Sequence, residues 1–100
     1  MTVGYQLTKT AENELEVILN RIAEKDGVRR ALHVHGEFVE AFEMLAFQPG
    51  SGTTRPRLSG EQVRWWPVFK WLVIYDPSSS PISILRVIHG ARELDRLLDA

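Results

Sequence analysis

Five basic side chains in the second half of the chain have the chemistry to hold a phosphate or a carboxylate. They are Arg57, Arg64, Arg86, His89 and Arg92. Guanidinium groups bind phosphate oxygens and an imidazole can transfer a proton near neutral pH, so this set could cleave RNA without a metal ion. The same charges suit an anionic partner, either nucleic acid or an acidic protein segment. From the residues alone a structural role is favoured, in which Arg86 pairs with a helix carboxylate and His89 ends a strand.

Aromatic and histidine residues elsewhere in the chain are weaker candidates for base stacking or metal binding. Trp65, Trp66 and Trp71 could stack on bases, although aromatic residues at strand spacing more often belong to a core or a partner interface. His33 and His35 are two residues apart on a predicted helix, so they point roughly 200 degrees apart and cannot share a metal ion unaided. Residues 50–52 are too few for a phosphate-binding loop. We therefore predict no metal site and no cofactor.

A predicted β-hairpin positions most of the basic groups. Residues 71–75 and 82–89 are rich in β-branched and aromatic side chains, and residues 76–81 between them include two prolines and three serines. Because this loop is short, the two strands are expected to pair antiparallel. Both faces of the second strand are partly apolar, so periodicity does not indicate which face meets the core.

Two further strands are predicted outside this hairpin. Residues 63–66 alternate and lead to Pro67, which favours a strand that ends at the proline. Val3, Tyr5 and Leu7 alternate with Thr, Gly and Gln, which indicates a short strand near the N-terminus. The predicted sheet therefore has about four strands.

Two amphipathic helices are predicted between the first strand and the hairpin. Thr8 is the expected N-cap of the first helix and Gly27 its end, and the second helix starts near Val28 and runs towards Phe47. Their apolar stripes are Ala11, Leu15, Ile18, Leu19 and Ile22 in the first helix and Val34, Phe38, Ala41, Phe42 and Leu45 in the second. The short connection predicts an antiparallel αα-hairpin that covers one face of the sheet. Gly36 is expected to mark close packing between the two helices.

The remaining segments complete the predicted fold. Residues 48–56 are interpreted as a loop, and Leu94, Leu97 and Leu98 indicate a short C-terminal helix. The predicted fold class is α+β, with an N-terminal strand, an αα-hairpin packed on an antiparallel β-sheet of about four strands, and a short C-terminal helix. We expect residues 1–100 to form a single domain.

Charge and composition limit the class of protein. The net charge is −1, but residues 1–50 hold five Lys/Arg against eight Asp/Glu, whereas residues 51–100 hold seven against five. An acidic helical half would then accompany a mildly basic sheet. There is no cysteine and no apolar stretch of the length that a membrane helix needs. We expect a cytoplasmic protein with no membrane association.

The order of these parts resembles the RelE/ParE superfamily of toxins from bacterial type II toxin-antitoxin modules, and in particular its ParE branch. The most distinctive stretch is residues 84–92, Ile-Leu-Arg-Val-Ile-His-Gly-Ala-Arg. Residues 5–8 are similar to the opening strand and helix cap of the family, residues 49–55 to its loop, and residues 64–75 to its central hairpin. The resemblance covers nearly the whole chain.

The resemblance implies a toxin that binds a cognate ParD-like antitoxin in a hetero-oligomer. ParE-like members are poisons of DNA gyrase and serve in plasmid stabilisation, whereas RelE-like members are ribosome-dependent mRNA endonucleases. In the endonuclease alternative, Arg57, Arg64, Arg86 and His89 would be the catalytic groups. A third alternative is a non-toxic relic that has kept antitoxin binding. Fold alone does not choose among these functions.

Departures from the RNase branch favour the ParE function. That branch is typically strongly basic and often places a catalytic tyrosine or histidine near the C-terminus, but here the only tyrosines are Tyr5 and Tyr75 and the calculated pI is about 6.3. We therefore predict a protein that acts by binding and not as an enzyme. The candidate residues for binding the target or the antitoxin are Arg57, Arg64, Trp65, Trp66, Arg86, His89 and Arg92. No sequence-specific contact with nucleic acid is expected.

Overall fold

Two helices pack on one face of a five-stranded sheet. The structure, a computed structural model, describes residues 4–55 and 60–90. In chain order the elements are β1 (Tyr5–Leu7), α1 (Lys9–Asp26), α2 (Val28–Phe47), a 3₁₀ turn (Pro49–Ser51), β2 (Thr53–Arg55), β3 (Gly60–Val68), β4 (Trp71–Asp76) and β5 (Ile82–His89). The predicted C-terminal helix at Leu94, Leu97 and Leu98 lies outside the described residues.

The helical hairpin forms as its sequence predicts. The Thr8 hydroxyl accepts a hydrogen bond from the Ala11 N–H at 3.1 Å and so caps α1. Gly27, with a φ of 94°, ends α1 by donating its N–H to the Ala23 carbonyl, and α2 begins at the next residue. Glycine accepts this backbone conformation without steric cost, which allows a one-residue connection.

The predicted reason for Gly36 is wrong. This glycine is exposed on α2, and a Cβ atom built on it would meet nothing within 4 Å. It therefore makes no close approach to α1.

The sheet has one more strand than the sequence predicted, and its pairing is mixed. The strand order is β1-β5-β4-β3-β2, and β1 runs parallel to β5 while the other neighbours are antiparallel. The additional strand is β2, in the segment that we interpreted as a loop; Thr53 pairs with Trp65 and Arg55 with Gly60. Glycine and proline flank these three residues, so their extended conformation depends on β3 and not on a local pattern. Strands β1 and β5 are far apart in the sequence and are not joined by a hairpin. Their pairing is therefore not restricted to the antiparallel direction that a hairpin imposes.

A bulge in β5 explains the mixed pattern of its two faces. Ile74 pairs with Arg86 but Tyr75 pairs with Ile84, so Leu85 is an extra residue on β5. The shift lets Ile84 and Val87 both enter the core beneath the helices, although strict alternation would separate them.

Buried side chains form a cluster on each face of the sheet. The larger cluster joins the helices to the sheet and includes the predicted stripe residues Leu15, Phe38 and Leu45. Phe38 lies at its centre, with its ring centroid 5.7 Å from that of Trp71. The smaller cluster, on the opposite face, comprises Trp65, Leu72, Ile74 and Ile88.

Candidate partner-binding surfaces

Arg86 is held by a carboxylate of α1. Its Nε donates to both oxygens of Glu14 at 3.1 Å, and its Nη2 donates to Oε2 at 2.7 Å. The Glu14 carboxylate also accepts the backbone N–H of Val87 at 3.0 Å. The structural alternative for Arg86, pairing with a helix carboxylate, is therefore the one that the structure shows.

Arg64 holds the turn that precedes β2. Its Nη1 donates to the Gly52 carbonyl at 2.7 Å and lies 3.4 Å from the Gly50 carbonyl. Beside it, the buried Tyr75 hydroxyl donates to the Pro49 carbonyl at 2.6 Å and accepts the Gly52 N–H at 2.9 Å. Burial raises the pKa of Tyr75 above its ordinary value, although the Gly52 N–H and the charge of Arg64 act in the opposite direction. The Arg64 guanidinium and the Tyr75 hydroxyl thus fix one loop together.

The two adjacent tryptophans face opposite sides of the sheet. Trp65 is buried in the smaller cluster, with the Arg55 guanidinium 5.1 Å from its ring centre. Trp66 is half-buried and packs against the larger cluster on the helix side. They therefore cannot act together as one stacking platform.

The structure places two of the residues that an endonuclease would need together, Arg64 and His89, far apart along β4. Arg64 pairs with Tyr75 at one end of β4, and His89 pairs with Trp71 at the other end. Four residues of strand separate these positions by about 13 Å. The remaining candidates, Arg57 and Arg92, lie outside the described residues.

The first of two surface grooves, the α1 groove, lies between α1 and the ends of β4 and β5. Its cavity volume is about 450 Å³, and its apolar lining includes Val17, Ile18, Ile22, Trp71 and Val87. Its lining also includes the basic residues Arg21, Lys25 and Lys70 and the acidic residues Glu14 and Asp26. His89 lies in the same lining. Since Glu14 is paired with Arg86, the balance of the charged lining is basic.

Of the residues that line this groove, only His89 was predicted from the sequence as a candidate binding residue. Arg21 and Lys25, which are exposed on α1, were not among the predicted candidates. Val17, which also lines the groove, is 53% exposed, and the sequence carries no sign of that exposure.

The second surface, the hairpin groove, lies between α2 and the turn that joins β3 to β4. Its cavity volume is about 320 Å³. The described residues that line it are Glu37, Glu40, Ala41, Met44, Trp66, Pro67, Val68 and Phe69. Of these, only Trp66 was a predicted candidate.

Comparison with known families decides the class of protein. A family model described as "ParE toxin of type II toxin-antitoxin system, parDE" matches residues 5–94. The chain belongs to the ParE toxin family. It is thus a ParE toxin of a type II toxin-antitoxin system, as the resemblance in sequence indicated.

A solved structure shares the fold of this ParE toxin. A chain of the "Chromosomal ParDE TA system from P. aeruginosa" superposes with a TM-score of 0.71 at 22% identity, covering 85% of this chain and 92% of that one. A comparison with curated proteins found no match. Among the described residues, no helix is long and apolar enough to cross a membrane, and no cluster of three acidic or histidine side chains could hold a metal ion.

Proposed function

We propose that this ParE toxin acts by binding: a cognate ParD-like antitoxin neutralises it tightly, and its cellular target is DNA gyrase. The observation that carries the binding mechanism is that Arg64 and His89 lie far apart while Arg64 and Arg86 are engaged in contacts of the fold. Arg64 is engaged with carbonyls of the 3₁₀ turn and Arg86 with Glu14, and His89 lies at the other end of β4 from Arg64. A metal-free ribonuclease needs such groups around one phosphate. The gyrase target rests on membership of the ParE branch.

The α1 groove is the proposed binding site of the antitoxin. An apolar floor suits the apolar face of an amphipathic segment, and Arg21, Lys25 and Lys70 suit acidic side chains beside that face. The partner in the P. aeruginosa ParDE system supports the expectation of a cognate antitoxin here. The hetero-oligomer would then cover the exposed Val17.

Charge reversal tests the antitoxin site. The double variant Arg21→Glu with Lys25→Glu should weaken antitoxin binding by about tenfold or more and reduce its dependence on salt, because rim charges steer association. Arg29→Glu is the matched control, since Arg29 is exposed on α2 and does not line the groove. Titration calorimetry at two salt concentrations measures both effects. Equal affinity of the double variant and wild type would exclude the α1 groove.

A paired assay tests the mechanism of toxicity. Primer extension on ribosome-bound transcripts and supercoiling by purified gyrase are measured with one preparation of toxin. For the proposed mechanism, gyrase is inhibited, the mRNA stays intact, and His89→Ala keeps most of the toxicity. Loss of a general acid or base would instead lower a cleavage rate by about 10²–10⁴-fold. Codon-specific cuts that disappear in His89→Ala, with gyrase unaffected, would identify an endonuclease; antitoxin binding without toxicity would identify a relic.

Arg86→Glu is a poor test of the target interface. A glutamate at this position would face Glu14, so like charges would replace an ion pair. Any loss of toxicity would then combine a change of surface with a loss of stability. Arg21 and Lys25 carry no such complication from the Glu14 contact.

A further inference from the structure

Phe69 occupies a backbone conformation that disfavours its side chain. The turn between β3 and β4 consists of Phe69 and Lys70, and Phe69 has a φ of 53°. Two-residue hairpin turns with positive φ at this position normally use glycine or asparagine, because the Cβ of a bulky residue meets the backbone there. An aromatic residue at this point is therefore unfavourable for folding.

The same side chain is also unfavourably exposed. Phe69 is 56% exposed at the tip of the turn, with the Arg30 guanidinium 5.8 Å from its ring centre. Removing it from the turn would relieve the backbone and reduce apolar exposure. Two independent physical costs thus fall on one residue, which is the pattern expected where an aromatic side chain serves a binding function.

Phe69 borders a groove whose charge is opposite to that of the α1 groove. Half-buried Trp66 and Met44 continue its apolar surface, and the two charged residues among the described lining are Glu37 and Glu40. The His33 Nε2 lies 3.9 Å from Glu37, and Glu40 is exposed. These two carboxylates border the aromatic surface on its α2 side, and they favour a cationic partner there.

We propose that the hairpin groove is a second protein-docking surface, separate from the antitoxin site, which takes an apolar side chain flanked by lysine or arginine. Phe69, Trp66 and Met44 contact the apolar side chain. Glu37 and Glu40 pair with the basic neighbours. One toxin molecule could then bind an acidic segment at the α1 groove and a basic segment at the hairpin groove, because the two lining sets share no residue.

A pair of peptides with opposite charge tests this proposal. The probes are acetyl-Lys-Leu-Leu-Lys-amide and acetyl-Glu-Leu-Leu-Glu-amide, titrated into the full chain while the Met44 methyl and Trp66 indole signals are followed by NMR. The basic peptide should shift both signals to saturation, and the acidic peptide should not. Phe69→Asn, and separately Glu37→Gln with Glu40→Gln, should weaken binding of the basic peptide at least about threefold.

Phe47→Asn is the matched control, because Phe47 is 84% exposed on α2 but does not line the groove. It should leave the titration unchanged. Phe69→Asn should melt at or above the wild-type temperature, since asparagine tolerates positive φ, and this separates lost binding from lost folding. Equal shifts from both peptides, or a titration that Phe69→Asn does not alter, would overturn the proposal.

Antitoxin affinity of the same variants distinguishes this surface from the proposed function. Phe69→Asn should bind the antitoxin as wild type does, whereas the charge reversals at Arg21 and Lys25 should not. If Phe69→Asn weakens antitoxin binding as strongly as those reversals, the hairpin groove belongs to the antitoxin interface and the separate surface is refuted. The peptide result does not depend on whether gyrase is the target.

Discussion

Glu14 of α1 and Arg86 of β5 form a two-point ion pair, with Arg86 Nη2 2.7 Å from Glu14 Oε2 and Nε 3.1 Å from both carboxylate oxygens. Strand β1 pairs with β5 only as far as Ile84, so β5 would otherwise have an open edge beyond that residue. The Thr8 hydroxyl donates to the Leu85 carbonyl at 2.9 Å, and Glu14 accepts the Val87 N–H. Side chains at the start of α1 thus continue the hydrogen bonding that β1 begins.

Removing Glu14 should cost more stability than removing Arg86. Glu14→Ala leaves the partly buried Val87 N–H without its acceptor, so we expect a loss of about 1–2 kcal/mol in the free energy of unfolding. Arg86→Ala removes an ion pair that is open to solvent, which is worth about 1 kcal/mol or less. Urea unfolding measures both, with Glu16→Ala on the exposed face of α1 as the control. A larger loss for Arg86→Ala would show that the ion pair, and not the strand edge, dominates.

Tyr75→Phe should destabilise the protein and make its free energy of unfolding less dependent on pH at high pH. Loss of the hydroxyl leaves the Pro49 carbonyl and the Gly52 N–H without this partner, at an expected cost of about 1–3 kcal/mol. Because the folded state raises the pKa of Tyr75, its contribution is complete below the unfolded value of about 10 and falls as the pH rises towards the folded value. Urea unfolding at about pH 9 and about pH 11 should therefore show a steeper fall in wild type than in Tyr75→Phe. Parallel falls would contradict the role of Tyr75.

Two glycines should respond oppositely to replacement by alanine. A Cβ on Gly52 would lie 2.5 Å from the Tyr75 hydroxyl and 3.0 Å from the Trp65 carbonyl, so Gly52→Ala should cost about 1–3 kcal/mol. Gly36 lies in open space on α2, so Gly36→Ala should raise stability by about 0.5–1 kcal/mol. Thermal melting of the two variants beside wild type tests the contrast. A stabilised Gly52→Ala would mean that the loop moves readily away from Tyr75.

Core truncations should cost far more than a truncation on the outer face of α2. Leu15→Ala and Phe38→Ala should each lower the free energy of unfolding by about 2–5 kcal/mol, because both side chains are buried in the larger cluster. Leu32→Ala is the control on the same helix as Phe38; this leucine is 66% exposed, and its loss should cost less than about 0.5 kcal/mol. Chemical denaturation of all three variants measures the difference. A parent-like midpoint for Leu15→Ala or Phe38→Ala would refute the assigned core.

Local patterns in the sequence determined the helices and the central strands. The Thr8 cap, the glycine at residue 27 and the two apolar stripes follow from interactions within a few residues, so they could be predicted without tertiary information. The same holds for β4 and β5, whose composition and intervening loop are local properties. Membership of the ParE toxin family also followed from the order of these parts and from residues 84–92.

Only the tertiary structure decided which residues meet. Strand β2 and the parallel pairing of β1 with β5 depend on contacts between distant segments, and the bulge at Leu85 changes which side chains of β5 reach the core. The contact of Arg64 with the Gly52 carbonyl had no sign in the sequence, and for Arg86 the tertiary structure chose Glu14 from the alternatives that the sequence left open. Phe69 shows the same limit: its exposure and its positive φ arise from the turn that the paired strands impose.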